Sequence, residues 1–270
     1  MQPVMSGLSE HPCAAFLAQV RMGAWRWLHA LDLDPASRTF GVADREYWAW
    51  KVKDFPNGTW QGGIAGFLDV SPELGLSTTQ LIKIVSAVVQ GSQRIQRRDG
   101  SFEEAYPLES SYCVTALVLF NLLYAWECYP QYFEPETQAS LTVIVEKGLR
   151  FLETTPETHG IISNHLATGV MALTLARRFL KQPDAERDIS QFLVLQQEEG
   201  WFPEYGGADP GYQTLLNYYL LAGNRILQRA DIAEALTRSL RFVSYFAFPD
   251  GSFAGEVGHR GTSIFYPAGS

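Results

Sequence analysis

Apolar positions along the chain follow two helical styles. Residues 77–97, 136–154, 184–197 and 231–247 are of the first kind, with a single apolar stripe. Its members are Leu81, Ile84, Val85 and Val88 in the first segment, Leu141, Ile144, Val145, Leu149 and Leu152 in the second, and Ile232, Leu236, Leu240 and Val243 in the last. One stripe predicts a helix with one wet side. Residues 111–127, 166–180 and 212–227 are apolar around most of the circumference, which predicts burial on every side. The two styles alternate, as two packed helical layers require. Residues 12–31 and a short aromatic segment, 44–53, read as further helices, with Pro12 suited to a first turn. Ser77 and Gln80 have the spacing of a capping box ahead of residues 78–97.

Glycine-centred turns punctuate this pattern: DFPNGTW at Gly58, QRRDGSF at Gly100, ETHGII at Gly160, QQEEGWF at Gly200 and FPDGSF at Gly251. They recur every 40 to 60 residues, the length of a helix pair with its loops, and such a period marks an array of helical hairpins. The expected fold is therefore all-α, an α/α toroid or an open arc of one, forming a single domain over residues 1–270. No linker-like stretch divides it. After Gly251 the pattern calls for another buried helix, but the sequence runs out in SIFYPAGS. The expectation is an incomplete ring lacking its C-terminal helices, with apolar surface left for self-association into a homo-oligomer.

At 270 residues, with 46% hydrophobic and 19% charged side chains, the chain can bury a sizeable core. A formal net charge of −8 argues against nucleic acid or an anionic membrane surface as the main partner. No apolar run is long enough to span a bilayer, and no basic segment leads into an apolar one at the N-terminus, so a cytoplasmic protein is expected. Cys13, Cys113 and Cys128 lack metal-ligand spacing and are odd in number. Cys113, inside SSYCVTALVLF, reads as a buried thiol, and no cofactor is expected.

Two family resemblances follow from the turns. QRRDGSF fits the Q-x-x-x-G-x-W/F pattern of squalene cyclase repeats through Gln96, Gly100 and Phe102, and QQEEGWF matches it more loosely through Gln196, Gly200 and Phe202. In that family the turns clip helices together. The DxDD acid motif of those cyclases is missing, Asp209 in GGADPGY being the nearest approach. The segment IISNHLATGVMAL resembles the Asn-Asn-His segment of heparinase II/III and alginate-lyase-like α/α-toroid enzymes. The following EEGWFPEYGGADPGYQTLLNYYL resembles their G-x-x-x-E…Y-H segment. This likeness covers residues 95–266. Ser163 stands where the family has its first Asn, Gln213 where His often follows Tyr, and the β-sandwich domain is absent.

The second resemblance implies a polysaccharide lyase acting at uronic acid residues without a metal cofactor. Elimination there requires neutralising a carboxylate, removing the C5 proton and protonating the leaving oxygen. By this likeness Asn164 holds the carboxylate while His165 and Tyr212 move protons. Glu104, Glu109, Tyr112, Glu204, Tyr205, Asp209, Gln213, His259 and Arg260 are the candidate substrate-binding residues, and an oligo- or polysaccharide is the expected partner. Arg260, flanked by glycines in GEVGHRGT, is the candidate cation, and Glu256 belongs to the same turn. Trp60 and Trp201, at turn apices, are placed to meet a sugar. The plain alternative is structural: acidic residues at helix starts are favoured by the backbone dipole, and Asn164 suits a helix N-cap. Two carboxylates on this rim also suit a glycosidase. A terpenoid-cyclase-like enzyme and a non-catalytic glycan-binding or scaffold module of a polysaccharide biosynthesis system complete the alternatives.

Overall fold

The structure, a computed structural model, describes residues 14–50, 54–158, 160–249 and 257–258. The Gly251 turn, Glu256, His259 and Arg260 lie outside the described residues, as do Pro12 and Cys13. Among the described residues the regular structure is helical. No strand forms, only isolated bridges pairing Phe102 with Ser111, Ile162 with Glu204, and Glu204 with Gly207. No helix is long and apolar enough to cross a membrane.

The chain enters through α1 (Ala14–Ala30), a π-helical turn at Glu46–Trp50 and a 3-10 segment, Gly58–Gly63, that leads directly into α2 (Ile64–Val70). Then come α3 (Thr78–Ile95), α4 (Tyr112–Cys128), α5 (Pro135–Thr154), α6 (Ser163–Phe179), α7 (Ile189–Leu193), α8 (Pro210–Leu227) and α9 (Ala230–Ser244). The expected capping box is present: Ser77 Oγ accepts from Gln80 N–H, and the Gln80 side chain accepts from Ser77 N–H at 2.8 Å. Pro135 and Pro210 open α5 and α8, where a missing N–H costs nothing.

Buried and half-wet helices alternate. α4 is buried nearly all round, from Val114 through Ala125, and it packs along α6, which packs along α8. α9 buries one stripe, Ile232, Ala235, Leu236, Ser239, Phe242 and Val243. α3 pairs with α5, and α7 with α9, on the outside of the buried set. At the C-terminal ends of the buried helices, Arg225 of α8 donates to the Tyr124 hydroxyl of α4, and Tyr129 donates to Asp69 of α2 at 2.6 Å. This pins three helices that are far apart in sequence.

Two expectations are corrected. Gly58 does not close a helical hairpin: it begins the 3-10 segment, and its N–H donates to Glu103 C=O at 2.8 Å. The first hairpin turn is at Gly41, with φ +82°. The helix expected over 184–197 is reduced to Ile189–Leu193. Lys181 and Asp184 adopt left-handed backbone, and Arg177, 2% exposed, anchors the loop between Glu153 and Asp188.

The turns at Gly100 and Gly200 share one construction. The Gln96 amide donates to Gly100 C=O and to Ile144 C=O of α5, both at 3.0 Å. The Gln196 amide donates to Gly200 C=O at 2.9 Å and to Ala235 C=O of α9 at 2.8 Å. Two residues past each glycine, a side chain of the next buried helix accepts the backbone N–H: Thr115 from Phe102 and Gln213 from Phe202. At the Gly41 turn, Gln61 performs both tasks. It accepts from Ala43 and donates to Gly41 C=O and to Val88 C=O of α3.

Candidate functional site

The clipped turns at Gly100 and Gly200 lead into α4 and α8, and the Gly160 turn leads into α6, which packs between them. Four residues beyond Gly100 and Gly200 stand Glu104 and Glu204, in equivalent positions of the repeat. The loop carrying Glu204 is a two-residue hairpin turn. Glu204 and Gly207 exchange backbone hydrogen bonds, while Tyr205 (φ +51°) and Gly206 (φ +88°) adopt the left-handed backbone that such a turn requires.

α6 begins at Ser163, so Asn164 lies within the first turn and the cap residue is Ile162, which supplies no side-chain bond. The free N–H groups of that turn are satisfied from the Glu204 loop instead. Ser163 donates to Pro203 C=O, and Asn164 N–H donates to Glu204 Oε2 at 3.3 Å. The Asn164 side-chain amide donates to Glu204 Oε1 at 2.6 Å. Glu204 thereby sits on a helix N-terminus, which favours its anion. Burial outweighs this: Glu204 is 3% exposed, and desolvation pushes its carboxyl up to about 7. The Asn164 bonds and His165 pull the other way, and Asp209 adds to the rise.

His165 follows on α6. Its Nδ1 lies 2.8 Å from Glu157 Oε2, and the Glu157 side chain is 2% exposed against 22% for the imidazole. A buried carboxylate at Nδ1 favours the tautomer with its proton on that nitrogen, the second contact that orients an imidazole for general-base work. Sequence reasoning missed Glu157. Its signal was position alone, an acid just ahead of the Gly160 turn.

From α4, Tyr112 and Cys113 complete the cluster. Tyr112 lies across α6 where Gly169 makes room: a Cβ there would stand 2.2 Å from its hydroxyl. Burial pushes the Tyr112 phenol up to about 12, with Glu157 and Asp188 adding to the rise, so it stays protonated at neutral pH. Burial also raises the Cys113 thiol, as do Glu104, Glu157 and Glu204, all three of which act on this one sulfur.

The other candidates are held as follows. Glu104 accepts from Ser111 Oγ at 3.0 Å. Glu109 accepts the backbone N–H groups of Glu104, Ala105 and Tyr106, so its carboxylate organises its own loop. Gln213 has both ends engaged, accepting from Phe202 and donating to Ser239, and it anchors the turn. Asp209 caps α8 through Tyr212 N–H, and Gly258 packs against its carboxylate, where a Cβ would meet Oδ2 at 2.9 Å. Tyr212 meets the half-exposed Tyr205 edge-on, with ring centroids 6.5 Å apart. Trp60 is half exposed, with its carbonyl accepting from Trp27, and the Trp201 indole donates to Glu199.

Among the described residues, no three His, Cys, Asp or Glu side chains converge as a metal would need. A groove of about 560 Å³ runs along α1 and α3, lined by Leu28, Leu33, Phe40, Leu76 and Ile84, and no member of the cluster borders it. Comparison of the chain with protein-family profiles, with curated proteins and with solved structures yields no match.

Proposed function

We propose that this protein is a carbohydrate-active enzyme built on an arc of an α/α toroid, and that it eliminates at uronic acid residues of a polysaccharide. The observation that carries this reading is the Glu157–His165 pair beside the Asn164–Glu204 pair at the start of one buried helix. The carboxyl-rich surroundings favour a polar substrate over an isoprenoid. In the proposed reaction, His165 Nε2 takes the C5 proton. The C5–H electron pair forms the C4–C5 double bond, the C4–O bond breaks, and the Tyr212 hydroxyl returns a proton to the leaving oxygen. Glu204, neutral below about pH 7, donates a hydrogen bond to the uronate carboxylate and so acidifies the C5 proton. Asn164 acts through Glu204, fixing it by both of its N–H donors.

The test is turnover on a panel of uronate polysaccharides, followed by the ultraviolet absorbance of the conjugated product. His165→Ala and Tyr212→Phe are each expected to lower kcat by about 10²–10⁴-fold. If both variants keep wild-type turnover on a verified substrate, the mechanism fails.

One observation favours a second reading, glycoside hydrolysis: Glu204 is poised as an acid near neutral pH, with Glu104 at the equivalent repeat position. That reaction releases reducing ends without the absorbing double bond, so the same panel separates the two.

A further inference from the structure

Among the described residues, the site carries Glu104, Glu157, Glu204 and Asp209 against a single imidazole, and the whole chain has a net charge of −8. A polyanion is not drawn to such a centre by its own field. Beside it, a cavity of about 370 Å³ has the opposite character. Arg38, Arg94 and Arg97 line it, with Tyr47, and among the described residues Asp54 and Glu103 oppose them. Glu103 immediately precedes Glu104 in the chain, so one loop borders both places.

The arginines are held differently: Arg38 and Arg94 keep donors that have no partner among the described residues, and Arg97 keeps one that is buried. Arg94 Nη1 donates to the carbonyls of Ser37, Arg38 and Phe40, which fixes the guanidinium while Nε and Nη2 have no partner among the described residues. Arg97 Nη1 pairs with Glu103, which is 6% exposed and also accepts from Leu108 and Glu109 N–H. Its Nε is buried with no hydrogen-bond partner, an exception that calls for a missing acceptor. Arg38 is exposed and makes no ion pair among the described residues. Guanidinium groups fit planar or tetrahedral oxyanions through paired N–H donors.

We propose that this cavity is an oxyanion subsite that binds the carboxylate or sulfate group of an acidic sugar unit flanking the one that reacts. The identity of the ligand rests on the carbohydrate reading above, whereas binding of the oxyanion does not require turnover. The subsite adds positive charge beside the carboxylates of the reacting centre.

Calorimetric titration of the full chain at low and at physiological salt tests it, with an acidic oligosaccharide and a neutral glucan oligomer as ligands. The variants are Arg38→Gln and Arg38→Glu. The Arg38 side chain makes no hydrogen bond or ion pair among the described residues, its backbone carbonyl alone accepting from Arg94, and melting curves verify that both variants are folded. The acidic ligand is expected to bind with marked salt dependence and the neutral one not to bind. Arg38→Glu is expected to weaken the acidic ligand about tenfold or more, with Arg38→Gln intermediate. Competition by glucuronate against a sulfated monosaccharide identifies which oxyanion is preferred. Equal affinity for acidic and neutral ligands, or an Arg38→Glu affinity equal to wild type, overturns the subsite. A chain that binds acidic glycans through Arg38 but never cleaves them retains the subsite and defeats the lyase reading. Cleavage with KM unaltered by Arg38→Glu does the reverse.

Discussion

The hairpin turned at Gly100 and the hairpin turned at Gly200 are built alike and end in different chemistry. In both, a glutamine amide bridges the turn carbonyl to a carbonyl of the next outer helix. Both leave the glutamine Oε1 without a donor, and both seat a phenylalanine N–H on the following buried helix. Four residues past the glycine each presents a glutamate. Glu104 is partly exposed and takes a serine hydroxyl at the start of its own hairpin's buried helix. Glu204 is enclosed and takes both N–H donors of Asn164 from a different hairpin. The repeat fixes where a carboxyl stands, and the neighbouring loop decides how dry it is. Only the second property tunes its acidity.

The strongest way to test the shared part is to put a Cβ on each glycine. Gly100 (φ +97°) and Gly200 (φ +102°) both lie where a side chain strains the backbone. The added atom would stand 2.2 Å from Lys147 C=O in the first turn and 2.3 Å from Arg238 C=O in the second. Since the obstacle is helix backbone, the outer helix must move. Gly100→Ala and Gly200→Ala are each expected to destabilise by about 3–5 kcal/mol in urea unfolding. Near-equal losses confirm the equivalence, and a loss at one turn alone breaks it.

The sequence carried the shared part and hid the difference. Gly100 and Gly200 were legible because glutamine, glycine and an aromatic recur at fixed offsets, and Ser77 with Gln80 is local in the same way. Gly41 was not, since FGVAD has no preceding glutamine. Its amide comes from Gln61, 20 residues later. Asn164, His165 and Glu204 were legible as candidates through their neighbours in sequence. That Asn164 would bond Glu204, 40 residues away, was not, and neither was Glu157 as the partner of His165. Burial and partnership across hairpins are tertiary facts, and no spacing within one hairpin encodes them.

Acidity sharpens the contrast. The folded-state value of Glu204, about 7, lies above its ordinary 4.5, so between these values the folded protein binds a proton that the unfolded chain does not. The stability this contributes is fully present below pH 4.5 and is lost as pH rises through about 7. The loss amounts to at most about 3 kcal/mol. Glu204→Gln, which cannot ionise, is expected to flatten that part of the stability–pH profile measured by urea unfolding. A profile as steep in the variant as in wild type assigns the slope to other groups.

The smallest effect concerns the clips. Gln96→Leu and Gln196→Leu each remove two amide hydrogen bonds and also remove an oxygen that has no donor. The lost bonds destabilise, while deleting a buried unsatisfied acceptor returns part of the loss. The net expectation is about 1–2 kcal/mol for each, below the glycine substitutions, because the leucine fills the space without forcing α5 or α9 to move. Because the two clips join different helix pairs, the double variant should lose close to the sum of the singles. A shortfall from additivity would show that the two hairpins are energetically one unit, in which case a change at Gly100 should also alter the environment of Glu204. Hydrogen exchange at Asn164 N–H in the Gln96→Leu protein reads that coupling directly. Unchanged protection there means that the first hairpin supports the fold without tuning the carboxyl of the second.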